Sequence, residues 1–254
     1  MTSYLILLLA AVLGGASNAL AGGGTFLVFP ALLVAGVAPI QANATASLVL
    51  LPGAFASAWV YRQIITGRSL GDSPGFLIRM LSMSLLGSAA GSVLLLATPN
   101  ATFAGMVPWL LLTATSVFTL APWIRNKATS SRHEAGALMM AGQFVISIYG
   151  GYFGAGMGVL MIALYLVATK LDVHAASGLR LVCGCVINLL AVVIFAAKGA
   201  VDFKVGIPML LASTVGGYAG ALLVKRLNAE LARKAILAYA WILTAWFFVK
   251  MLSK

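Results

Sequence analysis

The sequence predicts an all-α fold: a polytopic transmembrane helix bundle. Three observations carry that prediction. First, 62% of the 254 residues are hydrophobic and only 8% are charged, too few polar groups to cover a soluble domain of this size. Second, the apolar residues come in blocks, as in Leu5–Leu13 and Leu189–Ala197, separated by short polar breaks. A spanning barrel would instead alternate in polarity over segments about ten residues long. Third, the basic residues behind the net charge of +11 sit between the blocks and form no single patch. That distribution orients helices in a membrane and faces anionic lipid; it does not point to nucleic acid.

Ten apolar segments follow in order. The first, 4–21, has no Lys or Arg before it, so it lacks the charged start of a signal peptide and is expected to be retained. The second, 24–36, follows Gly22-Gly23-Gly24 and is short. A helix of about 13 residues rises about 20 Å, less than the roughly 30 Å hydrocarbon core, so this segment is expected to dip in as a half-helix. Segments 40–61, 75–97 and 105–123 are long enough to cross. The order then recurs: 136–153, a short seventh segment at 156–169 behind the cluster Gly150-Gly151, Gly154, Gly156 and Gly158, and then 175–197, 205–224 and 234–252. Depending on the two short segments, about eight to ten of these span.

The halves match in order. Gly22, Gly24, Asn43 and Val49 stand 134 residues before Gly156, Gly158, Ser177 and Cys183, and Gly87 and Gly91 correspond to Gly216 and Gly220. The reading is one repeat over 1–124, a cytoplasmic connecting loop over 125–135, and a second repeat over 136–254. Five segments per half invert the second copy. With the N-terminus outside, twelve of the sixteen basic residues fall on the cytoplasmic side, and only Lys198, Lys204, Lys250 and Lys254 lie outside. The rival, eight spans with the N-terminus inside, fuses 4–36 into one helix about 50 Å long and strands Lys225, Arg226, Arg233 and Lys234 outside. Inverted repeats with interrupted helices point to a transporter with a midplane site between the halves.

The candidate site residues follow from that frame. Glycine costs about 1 kcal/mol in a helix interior, so the two clusters need a reason. One reason is a helix break whose amides hold an anion, which makes Gly22, Gly23, Gly24, Gly156 and Gly158 candidates. The other is close helix packing. Asn43, Thr45 and Ser47 in the first half, and Ser177 and Asn188 in the second, are uncharged groups suited to surrounding an oxyanion. Arg180 is the sharpest candidate, since a buried arginine is costly; the alternative is that it snorkels to the cytoplasmic headgroups. All five acids, Asp72, Glu134, Asp172, Asp202 and Glu230, lie in or beside loops, so no midplane carboxylate serves a coupling cation. Export of an anion from an inside-negative cell releases about 2.3 kcal/mol per charge per 100 mV and needs no second ion. His174 and the tryptophans Trp59, Trp109, Trp123, Trp241 and Trp246 read mainly as interfacial. No metal site, cofactor or catalytic set is expected, and the chain does not read as an enzyme. Cys183 and Cys185 are two residues apart on one helix and cannot readily pair, which weakens the rival of a thiol electron carrier. A non-transporting scaffold leaves the paired glycine breaks unexplained.

Taken together, these residues resemble the sulfite exporter TauE/SafE family, also called TSUP. The resemblance covers nearly the whole chain. It rests on Gly22-Gly23-Gly24, Pro30, Leu32, Gly36, Ala44-Thr45 and Ser47 in the first half. In the second it rests on Gly154, Gly156, Gly158, Ile187-Asn188, Gly199-Ala200-Val201-Asp202, Gly216 and Gly220. It implies a multi-pass transporter of the bacterial inner membrane that exports small sulfur-containing anions, sulfite or organosulfonates. The partners it implies are that anion and membrane lipid, with a homodimer as the candidate assembly. The chain departs from the family pattern at Ala163 and Leu164, where a proline would stand, at Ala46, which splits the Thr-Ser pair, and at Ser177-Gly178-Leu179-Arg180. These departures bear on substrate and leave the fold untouched.

Overall fold

The computed structural model describes residues 2–21, 23–60, 74–128, 136–169, 171, 173–223 and 229–252. The described residues form ten helices and no strand. They are α1 (Thr2–Ala21), α2 (Thr25–Val34), α3 (Pro39–Val60), α4 (Pro74–Ala97), α5 (Asn100–Ala128), α6 (Gly136–Tyr152), α7 (Met157–Ala168), α8 (Val173–Ala197), α9 (Phe203–Leu223) and α10 (Ala229–Leu252). Each apolar segment is one helix. Gly22, most of the connecting loop (129–135) and the basic residues Arg62, Arg68, Arg132, Lys170, Lys225 and Arg226 lie outside the described residues.

Local chemistry sets the ends. Gly36, at φ +87°, stops α2: its N–H bonds Leu33 O and the Val37 N–H bonds Leu32 O, a Schellman closure. Gly199, at φ +67°, ends α8 in the same way, through Ala196 O and Phe195 O. Asp202 then caps α9, accepting from the N–H groups of Lys204 (3.1 Å) and Val205 (3.2 Å). At 10 and 12 residues, α2 and α7 rise only about 15 and 18 Å. Neither crosses a bilayer alone. Residues 4–36 do not form one helix: Gly14 of α1 packs on Val28 and Gly24 O, so α1 and α2 fold back as a hairpin.

Four helices, over 75–97, 100–120, 175–197 and 234–252, are long and apolar enough to span a membrane. Large apolar side chains are exposed along their outer faces, such as Ile78, Leu86 and Val93 on α4 and Ile242 and Val249 on α10. A surface this oily is stable against lipid and not against water.

The packing has a repeating plan. α4 lies along α6 as α9 lies along α1; α8 touches α4 as α3 touches α9; α3 meets α8, and α5 meets α10. α2 packs on α1 and α3, and α7 on α6 and α8. The α4–α6 and α9–α1 crossings are built from Gly-x-x-x-Gly pairs. A β-carbon on Gly87 or Gly91 would run into the backbone of Phe144 or Ile148, and one on Gly216 or Gly220 into that of Val12 or Ala16. Both crossings are parallel, since the contacts advance together along the two chains. By contrast α5 and α10 run antiparallel: Trp109 meets Phe248, Thr115 bonds Thr244, and Trp241 donates to Thr119. Thr115 and Thr244 are 129 residues apart, the spacing that also separates Gly87 from Gly216 and Gly91 from Gly220.

Candidate functional site

The glycine clusters break the chain at two places, and both breaks are buried. At the first, Gly24 leads into α2 and is packed by Gly14 O, Leu50 and Asn18. Gly23 faces Ser17 and Ile236 of α10. At the second, Gly154 (φ +78°) and Gly156 (φ +75°) adopt the left-handed backbone that favours glycine, and they turn α6 into α7. Gly156 lies against Ala114 of α5. Neither short helix has a side-chain cap on its N-terminal amides. The glycines divide between the two roles. Gly154 and Gly156 make the break, whereas Gly151 serves packing, because its α-carbon abuts the backbone of Ser88.

Arg180 comes to the second break. It sits on α8 in a stripe with Cys183 and Ile187, three and seven residues on, and that stripe faces inward. Its side chain packs against Gly158: a β-carbon there would stand 2.6 Å from Nη1 and 3.2 Å from Cδ. The first turn of α7 and the guanidinium therefore share one small space. Helix N-termini and cationic side chains each favour negative charge.

Asn43 reaches the same break from the first half. It is almost fully enclosed, and its Nδ2 donates to the Tyr152 carbonyl at 3.0 Å, at the end of α6. Its Oδ1 is buried without a hydrogen-bond donor. Phe153, within the break, stacks edge-on against Phe29 of α2 and Phe103 of α5, with ring centroids 5.4 and 6.4 Å away. The second break thus meets elements of both halves.

The other sequence candidates are distributed more widely. Thr45 is buried, and its hydroxyl accepts from the Asp202 N–H at 3.0 Å, which ties α3 to the start of α9. Ser47 donates within its own helix to Asn43 O. Ser177 and Asn188 are partly buried on α8. Gly23 and Gly24 belong to the first break, which has its own neighbours. Cys183 and Cys185 are both free thiols.

Sequence reasoning missed a buried polar cluster between α4, α6 and α7. Tyr165 donates to Gln143, which in turn donates to Ser84 and Ser147. The only signal was Gln143, a lone amide within the apolar run of α6.

Several known proteins similar to this chain are described as membrane transporters. A "Probable membrane transporter protein" of Haemophilus influenzae is 29% identical over 231 residues, covering 90% of this chain and 88% of the relative. "Probable membrane transporter protein YfcA" of Escherichia coli K12 is 24% identical over 243 residues, covering 94% and 87%. "Probable membrane transporter protein ORF9" of a Sinorhizobium species is 27% identical over 215 residues, covering 85% and 80%. The chain is thus one of a family of membrane transporters. The family model described as "Sulfite exporter TauE/SafE" matches residues 7–247, and the chain belongs to that family.

Proposed function

We propose that this protein exports small sulfur-containing anions, sulfite or organosulfonates, across the bacterial inner membrane. The observation that carries the reading is the Arg180 guanidinium packed against Gly158 in the first turn of α7, which has no side-chain cap. The guanidinium is a donor-only group, and the start of α7 is the electropositive end of its helix, although Met157 and Val159 N–H already donate to Gly154 O and Gly156 O; the pair favours negative charge. The substrate class rests on the family description.

The two halves, 1–124 and 136–254 joined by a cytoplasmic loop, are read as oppositely inserted copies that rock against each other in alternating access. The packing plan that survives exchange of the halves supports this, as does the antiparallel meeting of α5 and α10. The expected substrate-contacting set is Arg180, Gly156 and Gly158, with Asn43 at the far end of the break. Gly22, Gly23, Gly24, Thr45, Ser47, Ser177 and Asn188 are expected to line the path on either side.

The test is sulfite flux in proteoliposomes made with purified protein. Arg180→Ala is expected to raise the half-saturating concentration at least tenfold, the loss of a charge-assisted hydrogen bond of about 1.5–3 kcal/mol. Unchanged flux at every concentration would remove Arg180 from the site.

A further inference from the structure

Tyr149 of α6 holds the second break with both its main chain and its side chain. Its carbonyl accepts from the N–H groups of Phe153 (2.9 Å) and Gly154 (3.1 Å), which closes the end of α6. Its hydroxyl donates to the Ala155 carbonyl at 2.6 Å. Its ring stands edge-on to Phe153, with centroids 6.4 Å apart, so the hydroxyl has a set position. Tyr149 is not among the groups expected to touch the anion.

That hydroxyl fixes the direction of an N–H group. A peptide bond is planar, and this one is trans, so the Ala155 C=O and the Gly156 N–H point to opposite sides. Ala155 lies between two left-handed glycines, Gly154 and Gly156, and glycine accepts either hand of backbone. The Ala155–Gly156 peptide plane can therefore turn over at little local cost. Turned over, it would present a carbonyl oxygen where it now presents a donor. The bond from Tyr149 selects one of the two orientations.

The selected N–H belongs to the start of α7. Gly156 is left-handed (φ 75°, ψ −3°), and Met157 begins the right-handed helix. A change of hand between successive residues turns consecutive N–H groups to one concave face, a nest that favours anions. Met157 N–H already donates to Gly154 O, whereas among the described residues the N–H groups of Gly156 and Gly158 have no acceptor. Gly158 is also where Arg180 packs. A second, independent observation is Asn43, 2% exposed, which reaches the same break: its Nδ2 is on Tyr152 O, and its Oδ1 is buried and takes no donor. Such an acceptor is explained by a donor that arrives with a ligand or with water.

We propose that Tyr149 is a positioning residue that holds the Ala155–Gly156 peptide with its N–H turned towards the anion beside Gly158 and Arg180. The proposal rests on the second break as the anion site. It is tested on the full-length protein in proteoliposomes, reading half-saturating sulfite and maximal flux. Tyr149→Phe keeps the ring and removes the donor; it is expected to raise the half-saturating concentration about fivefold, with maximal flux within about twofold. Putting p-aminophenylalanine in place of Tyr149 returns an N–H donor to the same position and is expected to restore affinity to within about twofold. A rise that the amine does not restore, or no rise at all, would overturn the positioning role alone. An Arg180→Ala protein with unchanged affinity would instead overturn the anion reading beneath it. If Tyr149→Phe does not fold, p-fluorophenylalanine in place of Tyr149 fills the position of the hydroxyl without a donor and runs the same comparison.

Discussion

Gly158→Ala separates site from scaffold. Position 158 lies in the first turn of α7 and has an ordinary helical backbone, so alanine is compatible and gains up to about 1 kcal/mol in helix propensity. The added β-carbon would stand 2.6 Å from Nη1, 3.2 Å from Cδ and 3.5 Å from Cζ of Arg180. Normal contact is about 3.5 Å, so the guanidinium must retreat by roughly 1 Å. It sits at the end of a flexible side chain, so the retreat costs the fold little. A displacement of roughly 1 Å does matter to a bound anion, since a charge-assisted hydrogen bond is worth about 1.5–3 kcal/mol. The expected result is a rise of at least tenfold in half-saturating sulfite, with an unfolding temperature unchanged or slightly higher. Flux and thermal unfolding of the same purified protein measure the two. Normal folding with unchanged affinity would refute the placement of the anion beside Gly158.

Gly91→Ala has the opposite signature. Its β-carbon meets the Ile148 carbonyl and the Tyr152 N–H group, which cannot swing aside, so α4 and α6 must part. A loss of at least about 1–3 kcal/mol is expected, seen as a lower unfolding temperature, whereas Gly105→Ala, with open space around it, should be neutral or slightly stabilising. Opposite insertion predicts how single cysteines introduced into a Cys183→Ser, Cys185→Ser protein label in intact cells. Lys198→Cys should react with an impermeant reagent from outside, and Arg226→Cys only after permeabilisation; the reverse pattern would refute the orientation.

The helices were legible because lipid imposes a simple code. Blocks of apolar residues become helices, and the clusters around Gly24 and Gly156 mark where two of them stop short. Ends were less legible, because caps come from distant residues. α5 begins at Asn100, earlier than its apolar run, and the Asn100 side chain accepts from the Ile40 N–H 60 residues away. The site was legible in part. Arg180 stood out by its cost, but only the packing of α7 against α8 turns it inward onto Gly158. Thr45 reads as a ligand group, and the sequence does not show that its hydroxyl also accepts from the Asp202 amide. Gly87 and Gly91 were visible as repeat markers, while their role in a close crossing needed the parallel partner α6. Gln143 and Tyr165 were missed because a lone polar residue in an apolar helix reads alike whether it meets lipid, a neighbour or a ligand.

The most direct measurement is the position of a heavy-atom analogue of the substrate, such as selenite, in an experimental structure of the loaded protein. Density beside the Arg180 guanidinium, at the first turn of α7, is the predicted result. Density at the Gly24 break, or away from both breaks with Arg180 pointing into lipid, would contradict it.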